Sequence, residues 1–175
     1  EGRRLLRDYW GGYVFVPRGR DGVARAFRDP SGALPCYVKR EVDRVILAGD
    51  ITELALPGSG RVDFGEVARV LSSGDARGRR TCIDGIDELI AGECLVVTDG
   101  AQTLESWWTP WDHVVPRAGA TFDDLAEDLR KTSQSTVGAW TRSYSSILLG
   151  VSGGLDSSIV AAAAAPAAQR LTCIT

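Results

Sequence analysis

The stretch that decides the fold is ILLGVSGGLDSSIVAAAAA, residues 147–165. It begins as a short apolar run of β-forming residues, passes through a Ser/Gly turn and continues as an alanine-rich segment that favours helix. A second apolar run, LTCIT, occupies residues 171–175. This order predicts a strand, a loop, a helix and a second strand, which is a βαβ unit with a parallel sheet.

The loop of this unit concentrates groups that bind anions. Gly153 and Gly154 allow positive φ angles and a close approach of the backbone to a ligand. The N–H groups and the dipole of the following helix attract negative charge. The serines Ser152, Ser157 and Ser158 add hydroxyl donors to the same turn.

Asp156 is the unexpected member of this loop, because a carboxylate repels a phosphate unless a cation lies between them. It therefore suggests Mg²⁺ held against bound phosphates. The stretch lacks the lysine of the GxxxxGK[ST] motif, which excludes the common P-loop. The alternative is purely structural, with the glycines forming a tight turn and the polar residues capping a helix.

The composition is that of a globular protein of one or two domains. The 175-residue chain is 44% hydrophobic and 25% charged, with a formal net charge of -3. No apolar run approaches the ~20 residues of a membrane span, and the charge gives no nucleic-acid footprint. Four cysteines without a CxxC pair, and a single histidine, argue against a zinc site. Isolated cysteines in apolar surroundings predict reduced core residues of a cytoplasmic protein.

The first part of the chain is β-rich. Short strands separated by turn residues predict an antiparallel meander, followed by a last hairpin. The predicted strands cover residues 13–17, 23–28, 35–40 and 45–50, and the hairpin covers residues 92–108. Asp50 and Asp63 are expected to cap two short helices.

A linker over residues 111–120 is predicted from its proline and small residues. The helix that follows is expected to begin at the N-cap Thr121, with Asp124 three residues later. Phe122, Leu125 and Leu129 would share one face of this helix.

Four segments resemble one family. SGGLDSS, residues 152–158, resembles the pyrophosphate-binding loop of the N-type ATP pyrophosphatases, in the form used by asparagine synthetases and their relatives. The remaining three resemble, in the right order, the glutaminase-like N-terminal domain of that family. They are RDPSGALPCYV (28–38), ILAGDITEL (46–54) and GIDELIAGECLVVTDGAQTLESWWTP (85–110).

The resemblance implies a two-domain fold. Residues 1–110 would be part of an α+β, Ntn-type glutaminase-like sheet domain, and residues 111–120 a linker. Residues 121–175 would begin an α/β parallel-sheet ATP pyrophosphatase domain of the adenine nucleotide alpha hydrolase kind. The chain contains no Met, begins at Glu1 and ends on a strand-like run, so we expect a fragment of a longer protein.

The resemblance also implies a site for ATP and Mg²⁺. Asp156 would be the metal ligand and a catalytic residue, and the loop would hold pyrophosphate while neighbouring strand residues line the adenine site. The implied nucleotide-binding set is Leu149, Gly150, Val151, Ser152, Gly153, Gly154, Leu155, Asp156, Ser157, Ser158, Cys173, Ile174 and Thr175.

The subtype is suggested by what the chain lacks. Working glutaminase domains of the family use an N-terminal cysteine, and Glu1 is not that residue, so glutaminase activity is not expected. Cys36 within RDPSGALPCY, together with LLGVSGGLDSSIVAAA, is similar to the bacterial lasso-peptide cyclases. Those enzymes form a macrolactam from an Asp or Glu side chain and the N-terminal amine of a precursor peptide, releasing AMP and pyrophosphate.

This reading implies a precursor-peptide substrate, with a leader-binding protein and a leader protease as partners. The alternatives are an amide former of the asparagine synthetase or β-lactam synthetase kind, and a non-catalytic module that binds nucleotide or peptide. The family supplies a second Mg²⁺-binding acid and a catalytic lysine beyond Thr175. Residues 1–175 alone are therefore expected to bind nucleotide weakly without turnover.

Other polar and aromatic residues have simpler structural interpretations. Arg28 and Asp29 are expected to form an internal ion pair, and His113 is expected to be structural. Trp107, Trp108 and Trp111 would anchor the linker on the core, with a peptide-contacting surface as the alternative.

Overall fold

The computed structural model describes residues 2–9, 11–17, 19, 21–55, 60–74, 78–98 and 101–175. Within these residues the chain forms nine β-strands and four α-helices. The chain divides into two compact units, Glu1–Val115 and Pro116–Thr175. No helix in the described part of the chain has both the length and the apolar character needed to cross a membrane.

In its described residues the first unit contains two antiparallel sheets and two α-helices. Sheet I has the strand order β1-β2-β6-β7, and sheet II has the order β4-β3-β5. The helices are α1 (Gly2–Asp8) and α2 (Phe64–Ser73). The strands are β1 (Val14–Phe15), β2 (Ala24–Arg28), β3 (Tyr37–Arg40), β4 (Val45–Ala48), β5 (Ile86–Glu88), β6 (Glu93–Thr98) and β7 (Ala101–Ser106).

Sheet I is buried on both faces at its centre. Ala26 and Phe27 are neighbours on β2 and therefore point to opposite faces of the sheet. Their partners on β6 are Leu95 and Cys94. Ala26 and Leu95 form a core cluster with Val38 of sheet II, whereas Phe27 and Cys94 pack against α1 on the other face.

The prediction of one continuous meander is wrong. β2 pairs with β6 instead of β3, so the chain leaves sheet I after β2, builds sheet II and returns. Three local hairpins do form, β1–β2, β3–β4 and β6–β7. The predicted last hairpin is therefore confirmed, although residues 99–100 of its turn lie outside the described residues.

The helix starts follow the predicted capping residues. Asp50 accepts a hydrogen bond from the Thr52 N–H at the start of a 3₁₀ helix, and Asp63 caps α2 through the Glu66 N–H. The hydroxyl of Thr52, which donates to Asp50 at 2.7 Å, and the Thr52 N–H lower the pKa of Asp50, and the Glu66 N–H lowers the pKa of Asp63. A second 3₁₀ helix, Pro110–His113, occupies part of the predicted linker.

The second unit contains α3 (Phe122–Arg142), β8 (Ile147–Gly150), α4 (Leu155–Ala164) and β9 (Leu171–Ile174). Thr121 and Asp124 form the expected capping box at the start of α3. β8 and β9 pair in parallel, which confirms the predicted strand–loop–helix–strand unit. The predicted apolar face of α3 is exposed at Phe122 and Leu129.

Candidate functional site

The candidate site is the loop between β8 and α4. Because β8 and β9 are parallel, their carboxyl ends lie at the same edge of the sheet, where ligands of parallel α/β sheets bind. The Val151 N–H donates to the carbonyl oxygen of Ile174 at 2.7 Å and so extends the pairing to the start of the loop. The predicted loop residues and the end of β9 therefore meet at one edge.

Gly153 provides the conformational freedom that the loop requires. Its φ of 77° lies in the left-handed region, where residues with a side chain are strained. A Cβ at Gly153 would meet no heavy atom within 4 Å, so the space above the loop is open. Gly154 has an extended conformation, with φ -81° and ψ 168°, and is the N-cap of α4.

The first turn of α4 carries backbone donors. The first helical bond runs from the Ser158 N–H to the Gly154 carbonyl at 3.3 Å. The N–H groups of Leu155, Asp156 and Ser157 precede that bond and have no intrahelical acceptor. α4 also has no side-chain cap on its N-terminus. This end of the helix therefore carries positive charge from its dipole, beside the first-turn carboxylate of Asp156.

The three serine hydroxyls are partly used inside the loop. Ser158 Oγ donates to the Gly154 carbonyl at 2.8 Å, and Ser157 Oγ donates to the same oxygen at 3.2 Å. The Ser152 N–H donates to Ser157 Oγ at 3.3 Å. A hydroxyl has one hydrogen, so Ser157 and Ser158 do not donate to a ligand in this arrangement. Their Oγ atoms hold the loop instead, a role that the sequence pattern did not reveal.

Asp156 lies in the first turn of α4 and is exposed. Within the described residues no hydrogen bond or ion pair involves its carboxylate. The same residues contain no group of three or more His, Cys, Asp or Glu side chains that could enclose a metal ion.

The remaining predicted residues lie on the two strands. Leu149 pairs with Cys173, and Gly150 pairs with Ile174. Cys173 and Thr175 are exposed, and so is Leu155 at the start of α4. Cys173 is thus not a core cysteine, and the prediction that all four cysteines are buried is wrong at this position.

Small residues let the helices of the second unit approach each other. α4 packs against α3, and Ala163 and Ala164 of α4 are buried. The alanine-rich run therefore serves helix–helix packing in this unit.

A second polar centre lies in the first unit around Arg28. Its Nη1 donates to Glu88 Oε1 at 2.6 Å and to the Leu89 carbonyl at 2.7 Å, and its Nη2 donates to the Gly32 carbonyl at 2.8 Å. Arg28 is on sheet I and Glu88 is on sheet II, so the ion pair ties the two sheets together. The Nε of Arg28 is buried without a hydrogen-bond partner among the described residues.

The predicted ion pair between Arg28 and Asp29 is wrong. Asp29 is fully buried and accepts hydrogen bonds from the N–H groups of Tyr13, at 3.1 Å, and Ser31, at 2.8 Å. Consecutive residues point to opposite sides of an extended chain, which separates the two side chains. Burial, together with the negative charge of Asp29, raises the pKa of Tyr13.

The aromatic residues near the linker pack inside the first unit. Trp107 stacks on Phe27 with ring centroids 5.3 Å apart, and Trp108 packs on His113 at 5.6 Å. His113 thus has the expected structural contact. Trp111 is 78% exposed and does not share this anchoring role.

The likeness of this chain to known proteins lies among solved structures. No protein-family model and no curated protein matches the sequence. Among solved structures, the chain is similar to a glutamine phosphoribosylpyrophosphate (PRPP) amidotransferase from B. subtilis, complexed with ADP and GMP. The identity is 14% and the TM-score is 0.42, over 98% of this chain and 34% of that one. The chain thus spans about a third of that protein, and a likeness of this degree carries no argument about fold or function.

Proposed function

We propose that residues 147–175 form the ATP-binding edge of an enzyme that makes an amide bond through an acyl-adenylate. The observation that carries the proposal is the loop SGGLDSS at the carboxyl end of a parallel strand, with Gly153 at φ 77° and unpaired N–H groups in the next helical turn. This combination is typical of a phosphate cradle. The resemblance of SGGLDSS to the ATP pyrophosphatase loop supports pyrophosphate as the group held there.

The chain's own residues would bind and orient the leaving group. The N–H groups of Leu155, Asp156 and Ser157 would donate to pyrophosphate oxygens, where negative charge grows as the α-phosphate bond breaks. Ser157 and Ser158 would keep the loop in shape through their bonds to the Gly154 carbonyl. The open space above Gly153 would let the phosphates approach the backbone.

Asp156 would hold Mg²⁺ jointly with the phosphates. The donor chemistry fits, because a free carboxylate beside a row of N–H groups offers an oxygen ligand where anionic oxygens also gather. When bound, Mg²⁺ supplies positive charge that stabilises the leaving pyrophosphate.

The reaction would join a carboxylic acid to an amine. The carboxylate oxygen attacks the α-phosphorus of ATP, and pyrophosphate leaves with the electrons of the broken P–O bond. The amine then attacks the acyl carbon, AMP leaves, and the amine nitrogen loses a proton. Water has to be excluded until that second step, since hydrolysis would return the free acid.

The proposed substrate is a precursor peptide, closed as a macrolactam between an Asp or Glu side chain and its N-terminal amine. The same resemblance supports a leader-binding protein and a leader protease as partners. The resemblance of RDPSGALPCY and LLGVSGGLDSSIVAAA to lasso-peptide cyclases supports this choice over asparagine synthesis.

The test measures pyrophosphate and AMP release from Mg-ATP by the complete gene product. The acceptor panel is aspartate with ammonia or glutamine, a carboxyethyl amino acid, and a leader-stripped precursor peptide. We expect release only with the peptide, together with a product one water lighter. Release with aspartate would indicate an asparagine synthetase, and ADP formation or no turnover would contradict the adenylation proposal.

Substitution of Asp156 tests the role of the loop within that reaction. In Asp156→Asn we expect adenylate formation to fall at least roughly a hundredfold, because the cation loses its protein ligand. The matched control is Asp123→Asn, since Asp123 is also an exposed first-turn aspartate, on α3. Both variants should retain the fold by circular dichroism. Equal adenylate formation in the two variants would refute the metal-binding role of Asp156.

A further inference from the structure

We draw no further inference here: the strongest candidate, the exposed apolar face of α3 at Phe122, Leu125 and Leu129, carries none because nothing in the described part of the structure shows what covers it.

Discussion

The two units differ in how far the side chains of their strands are exposed. In the first unit, Phe27, Val38 and Leu95 are at most 1% exposed, because two antiparallel sheets and a helix cover them. In the second unit, Leu148 of β8 is 66% exposed and Ile174 of β9 is 50% exposed. The described apolar residues of the two units thus differ in how far they are buried within this chain.

The buried core and the candidate site lie in different units. The largest fully buried side chains all belong to the first unit, together with the ion pair that links its sheets. The loop proposed to bind anions belongs to the second unit and is held mainly by its own backbone and hydroxyl contacts. We therefore expect substitutions in the first unit to affect folding most, and substitutions in the loop to affect ligand binding most.

The largest expected effect on the contrast between the units comes from removing the buried guanidinium of Arg28. Arg28→Ala should lower the free energy of unfolding by roughly 3–5 kcal/mol, since it leaves Glu88 without its partner between the sheets. The control is Arg130→Ala, which removes an exposed ion pair with Glu127 on α3 and should have little effect. Amide hydrogen exchange of β2 and β6 gives the measurement. Similar losses of protection in both variants would contradict the contrast between the units.

The pH dependence of stability tests the same contrast, because Cys94 is buried and Cys173 is exposed. Burial, with a smaller contribution from the charge of Glu105, raises the pKa of Cys94 from 9.0 to about 11. The folded state thus keeps its proton where the unfolded state loses it, so stability is fully present below pH 9 and is lost as pH rises towards 11. The expected loss is roughly 2–3 kcal/mol.

The measurement for this series is urea unfolding at several pH values. Cys94→Ala should flatten the decline between pH 9 and 11. Cys173→Ala, which removes an exposed thiol, should keep it. A decline that is the same in both variants would assign the effect to other groups, such as Tyr13, whose pKa is also raised.

The smallest expected effect is that of replacing two glycines of similar φ angle by alanine. Gly153 and Gly22 have φ angles of 77° and 72°, and an added Cβ would be unobstructed at both. Replacement by Ala should therefore cost about 1–2 kcal/mol of strain at each site. Calorimetric titration with Mg-pyrophosphate then separates them, because only Gly153→Ala should also weaken binding. Equal affinities in the two variants would show that the loop is not the phosphate site.

Helices and strands could be predicted from the sequence where the residues that determine them are close together in the chain. Asp63 and Thr121 fixed helix starts because a capping side chain reaches a backbone N–H only three residues away. The strand at residues 147–150 and its parallel partner followed from the order of apolar run, loop and helix. The glycine requirement at position 153 also followed from the turn itself.

Long-range choices could not be predicted in this way. The pairing of β2 with β6 joins residues about 70 positions apart, and nothing near Phe27 indicates Cys94 as its partner. The partner of Arg28 is Glu88, on a three-residue strand, IDE, whose acidic residues mask its β character. The use of Ser157 and Ser158 within the loop depends on hydroxyl orientations, which residue types do not determine.

The exposed thiol at the end of β9 makes the chain a ready substrate for site-specific labelling. Cys36 and Cys94 are buried, and burial raises the pKa of both, so they react slowly with thiol reagents. Cys82 is only partly exposed, and Cys173 is exposed opposite Leu149. A fluorophore or nitroxide at Cys173 would therefore report on events at the neighbouring loop from a native position, without any cysteine having to be introduced.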